Sequence, residues 1–342
     1  MAASPAEHTA NPETVLGEAI DCGPCPACEA REVRMLFWAG DRLYRTTDKT
    51  FLIVECAECR LMRLFPAPSP SELRTYYPDN YWYAPEDDAA SRLEQAYRRF
   101  VLRDHIRFVR RALEDSGESG LVLDVGCGGG LFLRMLADCR SLLKQRNLRV
   151  VGLDFSLDAA SLATRHNAVP TLCGTLTQAP LPPESCAAVT MFHVLEHLFD
   201  PAAYLRAAHT LLRPGGRLIV QVPNAACWQF LVFGEHWSGI DVPRHLVDFR
   251  PPDLERLLDN CGFEALRTKH FSLRDNPAGL ATSLAPGLDP MARRVRRVPE
   301  TARKKLLKDL AYFGLVVASL PFTLLEAACC SCSTIMVEAR RK

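Results

Sequence analysis

The sequence lacks several patterns that would assign it to other classes of protein. Lysine and arginine (41) nearly balance aspartate and glutamate (40), so with a net charge of +1 no overall field draws the chain to nucleic acid or to a membrane. It shows no internal repeat, and no basic-then-apolar signal segment precedes the first cysteines, so we do not expect the disulfide framework of a secreted protein. The uncharged, mostly apolar run over 310–325 is shorter than the roughly 20 residues that cross a bilayer, and Pro321 interrupts it.

What the sequence does contain is the composition of an ordinary soluble globular protein, with 48% hydrophobic and 24% charged residues. A length of 342 residues allows one large domain with one or two attachments. Its 14 cysteines are many, and paired C-x-x-C motifs in a reducing compartment more often hold metal than form disulfides. We therefore expect a cytoplasmic protein with a metal-binding module.

Strand and helix patterns alternate through the middle of the chain. A helical period of apolar residues comes first, over 92–113. Short apolar strands are predicted at 121–125, 150–154, 187–192, 217–222, 262–268 and 333–339. Helices are predicted between them at 131–137, 157–166, 201–212 and 252–260. This alternation predicts an α/β fold, a Rossmann-like and mostly parallel sheet with helices on both faces.

A glycine-rich turn joins the first of these strands to a helix in the segment LVLDVGCGGGLFLRML, residues 121–136. Glycines allow positive φ and close approach of a ligand, and strand-end turns are where open α/β sheets bind ligands. Asp124 precedes the first glycine, where it would repel a pyrophosphate but can meet an ammonium group. Asp154 ends the second strand, where a carboxylate can accept hydrogen bonds from both ribose hydroxyls of a nucleoside. The dinucleotide spacing G-x-G-x-x-G is not matched, so the turn favours a nucleoside that carries an ammonium group.

Further motifs accompany the glycine turn: the chain reads LDVGCGGG at 123–130, GLD at 152–154, HVLEH at 193–197 and LLRPGGRLIVQVPN at 211–224. Together these motifs resemble the class I methyltransferases that use S-adenosylmethionine (SAM), in particular the ubiquinone-methyltransferase-like, type 23 kind. The resemblance covers about residues 95–270 and the last strand, and it implies a seven-stranded sheet with a reversed final hairpin. It also implies SAM contacts at Asp124, Gly126, Cys127, Gly128, Gly130, Asp154, Phe155, Thr175 and His193. One departure is Gly174-Thr175, where the family often has Gly-Asp to reach the adenine amine.

Four residues are candidates for the chemistry on the acceptor side, namely His193, Glu196, His197 and His245. Histidine is a natural base near neutral pH, and we favour His193 or His245 for that role. Glu196 and His197 could equally brace the loop that carries them. A further interpretation rests on resemblance: ubiquinone-pathway O-methyltransferases and enzymes that methylate small-RNA 3′ ends carry a similar E-x-x-E-H segment that binds a divalent metal. Here His193 replaces the first Glu, and Glu196, His197 and His245 would hold the ion.

Two C-x-x-C pairs stand near the N-terminus, Cys25/Cys28 and Cys56/Cys59. Four thiolates satisfy tetrahedral Zn²⁺ with no open position, so the pairs predict a structural zinc ribbon, although Cys22 offers a competing pair with Cys25. Glu29 and Arg60 stand where such knuckles often have glycine. A similar ribbon, followed by an F-P-x-P-S-x-x-E-L-x-x-Y-Y-like segment, occurs ahead of many bacterial methyltransferases of this type. Tyr76, Tyr77 and Tyr81 are therefore acceptor-pocket candidates, or else pack at a domain interface.

The stretch before the last strand is basic and then apolar. Eight arginines and lysines between 293 and 308 precede the apolar run over 310–325. Two interpretations stay open: a helix pair packed on the sheet edge or in a homodimer interface, or peripheral membrane contact through 293–325. The predicted organisation is a leader (1–20), a zinc-ribbon-like module (21–65), a Pro/aromatic connector (66–91), a SAM-binding domain (92–275), a helical insert (276–330) and a final strand with its tail (331–342).

These patterns predict a SAM-dependent methyltransferase that acts on a small-molecule, glycan or lipid-linked acceptor by in-line displacement with His/Glu assistance. One alternative is an RNA methyltransferase that uses the ribbon to hold its substrate. The lack of an Asn/Asp-Pro-Pro-Tyr/Phe motif after the fourth strand and the small net charge argue against nucleic acid. A second alternative is a non-catalytic SAM-binding partner protein.

Overall fold

The computed structural model describes residues 21–78 and 89–342, and of residues 89–94 only the backbone. The predicted leader and Tyr81 lie outside the described residues. A seven-stranded sheet dominates this part of the chain, in the order β10-β11-β8-β7-β4-β5-β6. Its strands are β4 (Gly120–Val125), β5 (Leu148–Asp154), β6 (Thr171–Cys173), β7 (Cys186–Phe192), β8 (Leu212–Pro223), β10 (Phe263–Lys269) and β11 (Thr334–Arg341). The first five are parallel and β11 is antiparallel to both neighbours, which confirms the predicted fold with its reversed final hairpin.

Helices cover both faces of this sheet because successive strand residues point to opposite sides. Val122 packs in one buried cluster with Val109 and Leu133, whereas its neighbour Leu123 packs in the other with Leu205. The helices that supply these layers are α2 (Ala89–Ser116), α3 (Leu131–Ala137), α4 (Arg140–Gln145), α5 (Leu157–Asn167), α6 (Pro201–Leu211) and α8 (Pro251–Asn260). The central strands β4, β7 and β8 are therefore buried from both sides over most of their length.

A second, four-stranded sheet contains the N-terminal cysteine segment. Its order is β1-β2-β3-β9, all antiparallel, with β1 (Val33–Gly40), β2 (Thr50–Cys56), β3 (Met62–Phe65) and β9 (Val247–Asp248). Strand β9 comes from the predicted SAM-binding domain, so the ribbon segment and that domain share one sheet.

The structure differs from two local expectations from the sequence, namely an irregular connector over 66–91 and a Pro214-Gly215-Gly216 turn before a strand that starts at residue 217. The connector contains a helix, α1 (Pro70–Thr75), because the Ser69 hydroxyl caps it and Pro70 begins it with a preset φ. Strand β8 starts earlier than the predicted residue 217, since the Pro214-Gly215-Gly216 segment forms an irregularity within the strand instead of a turn before it. Gly215 has a φ of 78°, which a residue with a side chain would adopt only under strain.

The insert holds α9 (Asn276–Leu284), α10 (Pro290–Val295) and α11 (Ala302–Ala328), and α7 (Trp228–Phe233) lies beside it. The apolar run over 310–325 lies within one 27-residue helix, because Pro321 lies inside α11 without ending it. Within the described residues α11 is the helix whose length and apolar composition would suffice to cross a membrane. The sequence estimate of 310–325 was too short because it stopped at the basic and acidic flanks.

Candidate active site

The glycine turn after β4 has the backbone that its sequence requires. Gly126, Gly128 and Gly130 have φ values of 70°, 52° and 75°. A Cβ on Gly126 would lie 2.7 Å from the Val194 side chain, and one on Gly130 would lie 2.9 Å from Cβ of Ala163. A Cβ on Gly128 would meet no atom within 4 Å, so this glycine borders open space. The turn therefore packs tightly on its inner side and leaves its outer side accessible to a ligand.

Two acids lie at the glycine turn, Asp124 at the end of β4 and Asp154 at the end of β5, and they differ in their hydrogen bonds. Asp124 is buried, accepts a bond from the Thr190 hydroxyl (2.6 Å), and burial raises its pKa to about 7. Asp154 accepts one bond from the Gly128 N–H and one from the Ser156 N–H, both 2.9 Å, while burial raises its pKa. Because each oxygen of Asp154 uses only one lone pair, the carboxylate can still accept from two ribose hydroxyls.

The other predicted SAM contacts surround this turn. Phe155 is 58% exposed, and its ring lies 6.2 Å from the Tyr77 ring in an edge arrangement. Thr175 is half-buried, with its hydroxyl 3.3 Å from that of Thr177. Cys127 is buried and directs its thiol to the carbonyl of Gly128 (3.7 Å). The structure places these residues together, and their roles toward SAM stay predictions.

A cluster of acid and imidazole groups follows β7. Glu196 lies in a short 3-10 turn, Leu195–His197, and is fully buried. One of its oxygens lies 3.1 Å from Nδ1 of His193, and Oε2 has no hydrogen-bond partner among the described residues. Ligand atoms of Glu196, His197 and His245 lie within 4.8 Å of one another. The structure thus brings the three residues of the predicted metal set to one point.

Backbone carbonyls fix the orientation of both imidazoles in this set. Nδ1 of His197 lies 3.0 Å from the carbonyl oxygen of Arg244, and Nδ1 of His245 lies 2.8 Å from that of Gly239. Since a carbonyl oxygen only accepts, Nδ1 carries the proton in each ring and Nε2 keeps its lone pair. Burial lowers the pKa of both histidines to about 4. Neutral imidazoles with a carbonyl behind them are the usual form of histidine metal ligands.

His193 has a different environment. It adopts a φ of 57°, and its Nε2 lies 2.9 Å from the Gln221 amide and 3.6 Å from Asp275. Although burial opposes it, the carboxylates of Asp275 and Glu196 raise the pKa of His193 to about 9. Gln221 also donates a hydrogen bond to Asp275 (2.7 Å), so His193, Gln221 and Asp275 form one connected polar group beside the glycine turn.

Three residues of this region were not predicted from the sequence: Gln221, Asp275 and His105. His105 is fully buried on α2, and neither ring nitrogen has a hydrogen-bond partner among the described residues. Its ring stands edge-on to Phe192 at 5.1 Å, and burial lowers its pKa to about 4. A histidine in the apolar stripe of α2 was the available signal. No sequence signal pointed to Asp275, because no local pattern shows that its loop reaches β7.

The candidate tyrosines separate in the structure. Tyr77 places its hydroxyl 2.9 Å from Nδ1 of His197, at the acid–imidazole cluster. Tyr76 is buried and donates instead to Glu72 (2.6 Å), away from the cluster. Of the described pair, only Tyr77 therefore reaches the candidate acceptor side.

The four predicted zinc cysteines meet in one cluster, and Cys22 lies outside it. Sγ of Cys25 lies 3.5 Å from that of Cys59, and Sγ of Cys28 lies 3.6 Å from that of Cys56. Glu29 and Arg60, where glycine was expected, adopt φ values of 62° and 67°. The knuckle turns thus keep the left-handed backbone that glycine usually supplies.

Fold and site together define a class I SAM-dependent methyltransferase. Residues 97–268, half of the chain, match the type 23 family of the methyltransferase domain. The chain belongs to this family.

Similar proteins carry related names. A "probable S-adenosylmethionine-dependent methyltransferase" of Mycolicibacterium smegmatis is 33% identical over 147 residues, 42% of this chain and 51% of that protein, so this chain spans about half of its length. A ubiquinone biosynthesis O-methyltransferase of Pseudomonas paraeruginosa is 30% identical over 185 residues, 48% of this chain and 77% of that protein. Among solved structures, a geranyl diphosphate methyltransferase in complex with SAM has 14% identity and a TM-score of 0.48, covering 75% of this chain and 92% of that one.

Proposed function

We propose that the protein transfers the methyl group of SAM to a hydroxyl of a small organic acceptor, with a divalent cation held by Glu196, His197 and His245. The observation that carries the proposal is the buried Oε2 of Glu196, which has no hydrogen-bond partner among the described residues and lies at two neutral imidazoles. Burying a carboxylate oxygen without a hydrogen-bond partner costs free energy unless a ligand binds to that oxygen.

The residues fit such a cation. One carboxylate and two imidazoles oriented by backbone carbonyls form a common catalytic set for divalent metals, with positions left for substrate. When bound, a cation of this kind lowers the pKa of a hydroxyl that coordinates it.

The protein's own residues would position the two reactants. The glycine turn and Asp154 hold the nucleoside, while Asp124 faces the methionine ammonium, so the sulfonium points along the edge where β7 ends. Transfer is an in-line displacement: the acceptor oxygen bonds the methyl carbon, the sulfur–methyl bond breaks with its electron pair left on sulfur as S-adenosylhomocysteine, and the hydroxyl proton passes to solvent water. Tyr77 and His193 border this edge and can orient the acceptor.

An apolar wall adjoins the site. Phe192 supplies this wall, and its ring stands edge-on to that of His105. We infer that the acceptor has a flat or apolar body. A ubiquinone biosynthesis O-methyltransferase among the relatives supports a small-molecule acceptor of this kind.

The cysteine cluster would hold structural zinc. In a tetrahedron with Zn–S bonds of about 2.3 Å, the sulfurs stand roughly 3.8 Å apart. The 3.5 and 3.6 Å separations are close to this value. Reduced thiols and a structural zinc suit the cytoplasm, where we place the protein.

Methyl labelling tests the proposal. Purified protein with methyl-labelled SAM and a small-molecule extract should give a labelled ether, seen by mass spectrometry. Chelation and Glu196→Gln should both remove the label, whereas Glu235→Gln, at an exposed acid, should keep it. Label that appears in RNA, or labelling that survives both chelation and E196Q, would overturn the proposal.

A further inference from the structure

Over residues 312–326, helix α11 is inverted relative to an ordinary surface helix, because its polar side chains there face the protein. Ser319, Thr323 and Glu326 are buried, and Glu326 accepts a bond from the Gln229 amide (2.8 Å). Tyr312 is 2.9 Å from the Thr282 hydroxyl. A helix that faces water normally buries its apolar stripe and exposes its polar one.

The opposite side of α11 is apolar and exposed. Leu306, Leu310, Phe313, Val317 and Leu324 recur at steps of three, four and seven residues, so they form one line, which we call the apolar face. Each is between 47% and 59% exposed. Along a helix of 27 residues, about 40 Å long, a continuous line of exposed apolar side chains marks an interaction surface rather than an ordinary solvated one.

Neighbouring groups extend this surface and give it a charge. Leu231 and Val232 on α7 are 77% and 70% exposed, and α7 contacts α11 where Trp228 and Phe322 meet at 6.3 Å. Arg303, Lys304 and Lys305 are exposed at the start of α11.

The two acids next to the basic start of α11, Glu300 and Asp309, form ion pairs with basic residues of the insert. Glu300 pairs with Arg293 and Lys308, and Asp309 pairs with Arg293. An apolar surface with a basic end is complementary to an anionic lipid layer.

We propose that α11 lies in the plane of an anionic membrane, with the apolar face at the boundary between headgroups and acyl chains. Both ends of α11 are anchored to the rest of the protein, because α10, which precedes α11, packs on Tyr44 through Ala292 and Val295, and β11, which follows α11, pairs within the large sheet. This attachment keeps the helix from crossing the layer. Its inner side contacts α9, which starts next to Asp275 in the candidate site. The inference does not rest on methyl transfer.

Sedimentation of the full chain with vesicles tests this. We expect the protein to pellet with phosphatidylglycerol vesicles and about tenfold less with phosphatidylcholine vesicles. Leu310→Glu/Phe313→Glu should reduce pelleting at least about tenfold, as should Lys304→Glu/Lys305→Glu. Leu266→Glu, an exposed apolar residue on β10, is the matched control and should leave pelleting unchanged.

Circular dichroism must show that each variant is folded. Failure of the intact protein to pellet with anionic vesicles would overturn the proposal, as would normal pelleting of the folded L310E/F313E variant. A dimer in analytical ultracentrifugation that L310E/F313E dissociates, without vesicle binding, would assign the face to a second copy of the chain.

Discussion

Nη2 of Arg244 lies 2.8 Å from Oδ1 of Asp41, and both side chains are fully buried. Arg244 also pairs with Asp241 (2.7 Å), and its carbonyl accepts the proton of His197. Asp41 belongs to the cysteine-containing segment, whereas Arg244 precedes His245 in the candidate site. This ion pair therefore connects the zinc-ribbon segment to the loop that positions two of the proposed metal ligands.

Replacement of Asp41 tests that connection. Asp41→Asn leaves a buried guanidinium with one acid fewer, so we expect the free energy of unfolding at pH 7 to fall by about 3 kcal/mol. Urea denaturation followed by circular dichroism measures it. A loss below about 1 kcal/mol would show that Asp241 alone suffices for Arg244.

The Asp41–Arg244 pair also makes the free energy of unfolding depend on pH. Burial would raise the pKa of Asp41, but the Arg244 bond outweighs it and the pKa is lowered. A lowered folded-state pKa stabilises the protein above the unfolded-state value of about 3.9, and this contribution is lost as the pH falls through the folded-state value. The difference between wild type and D41N should therefore be constant from pH 7 to 5 and shrink below about pH 4. A constant difference down to acid unfolding would argue against the ionic contact.

Local sequence was enough for some parts of the site and not for others. The glycine turn, Asp154 and the cysteine knuckles follow from short motifs whose backbone needs are local. The Asp41–Arg244 pair joins residues far apart in the chain, and no periodicity indicates it. Asp275 likewise reaches His193 only because of how β8 and the insert pack. The inward polar side of α11 was missed because composition reports that a helix is apolar but not which side faces the protein.

Zinc content tests the cysteine cluster with a matched pair of variants. Cys28 and Cys22 are both partly buried, but only Cys28 belongs to the cluster. We expect one zinc per chain in the wild type and in Cys22→Ser, and loss of zinc with lower thermal stability in Cys28→Ser. Elemental analysis and thermal denaturation check both. Equal zinc in the two variants would contradict a four-cysteine site.

Titration with a hard cation distinguishes the proposed site at Glu196, His197 and His245 from the cysteine cluster. Thiolate clusters prefer Zn²⁺, so a Mn²⁺ titration reports mainly on Glu196, His197 and His245. Glu196→Gln should weaken Mn²⁺ binding by at least about tenfold without changing SAM affinity. Glu235→Gln serves as control and should bind like wild type. If E196Q binds Mn²⁺ as tightly as wild type, this acid is not a ligand.

SAM binding by isothermal titration calorimetry tests the central claim most directly. The N–H groups of Gly128 and Ser156 hold the carboxylate of Asp154, which we expect to accept hydrogen bonds from the ribose hydroxyls. We expect one SAM per chain, a loss of affinity of at least about 100-fold in Asp154→Ala from two charge-assisted bonds, and no change in Asp158→Ala, an exposed acid in the first turn of α5. Absence of SAM binding by the wild type, or equal affinity in D154A, would contradict the assignment of this turn to SAM.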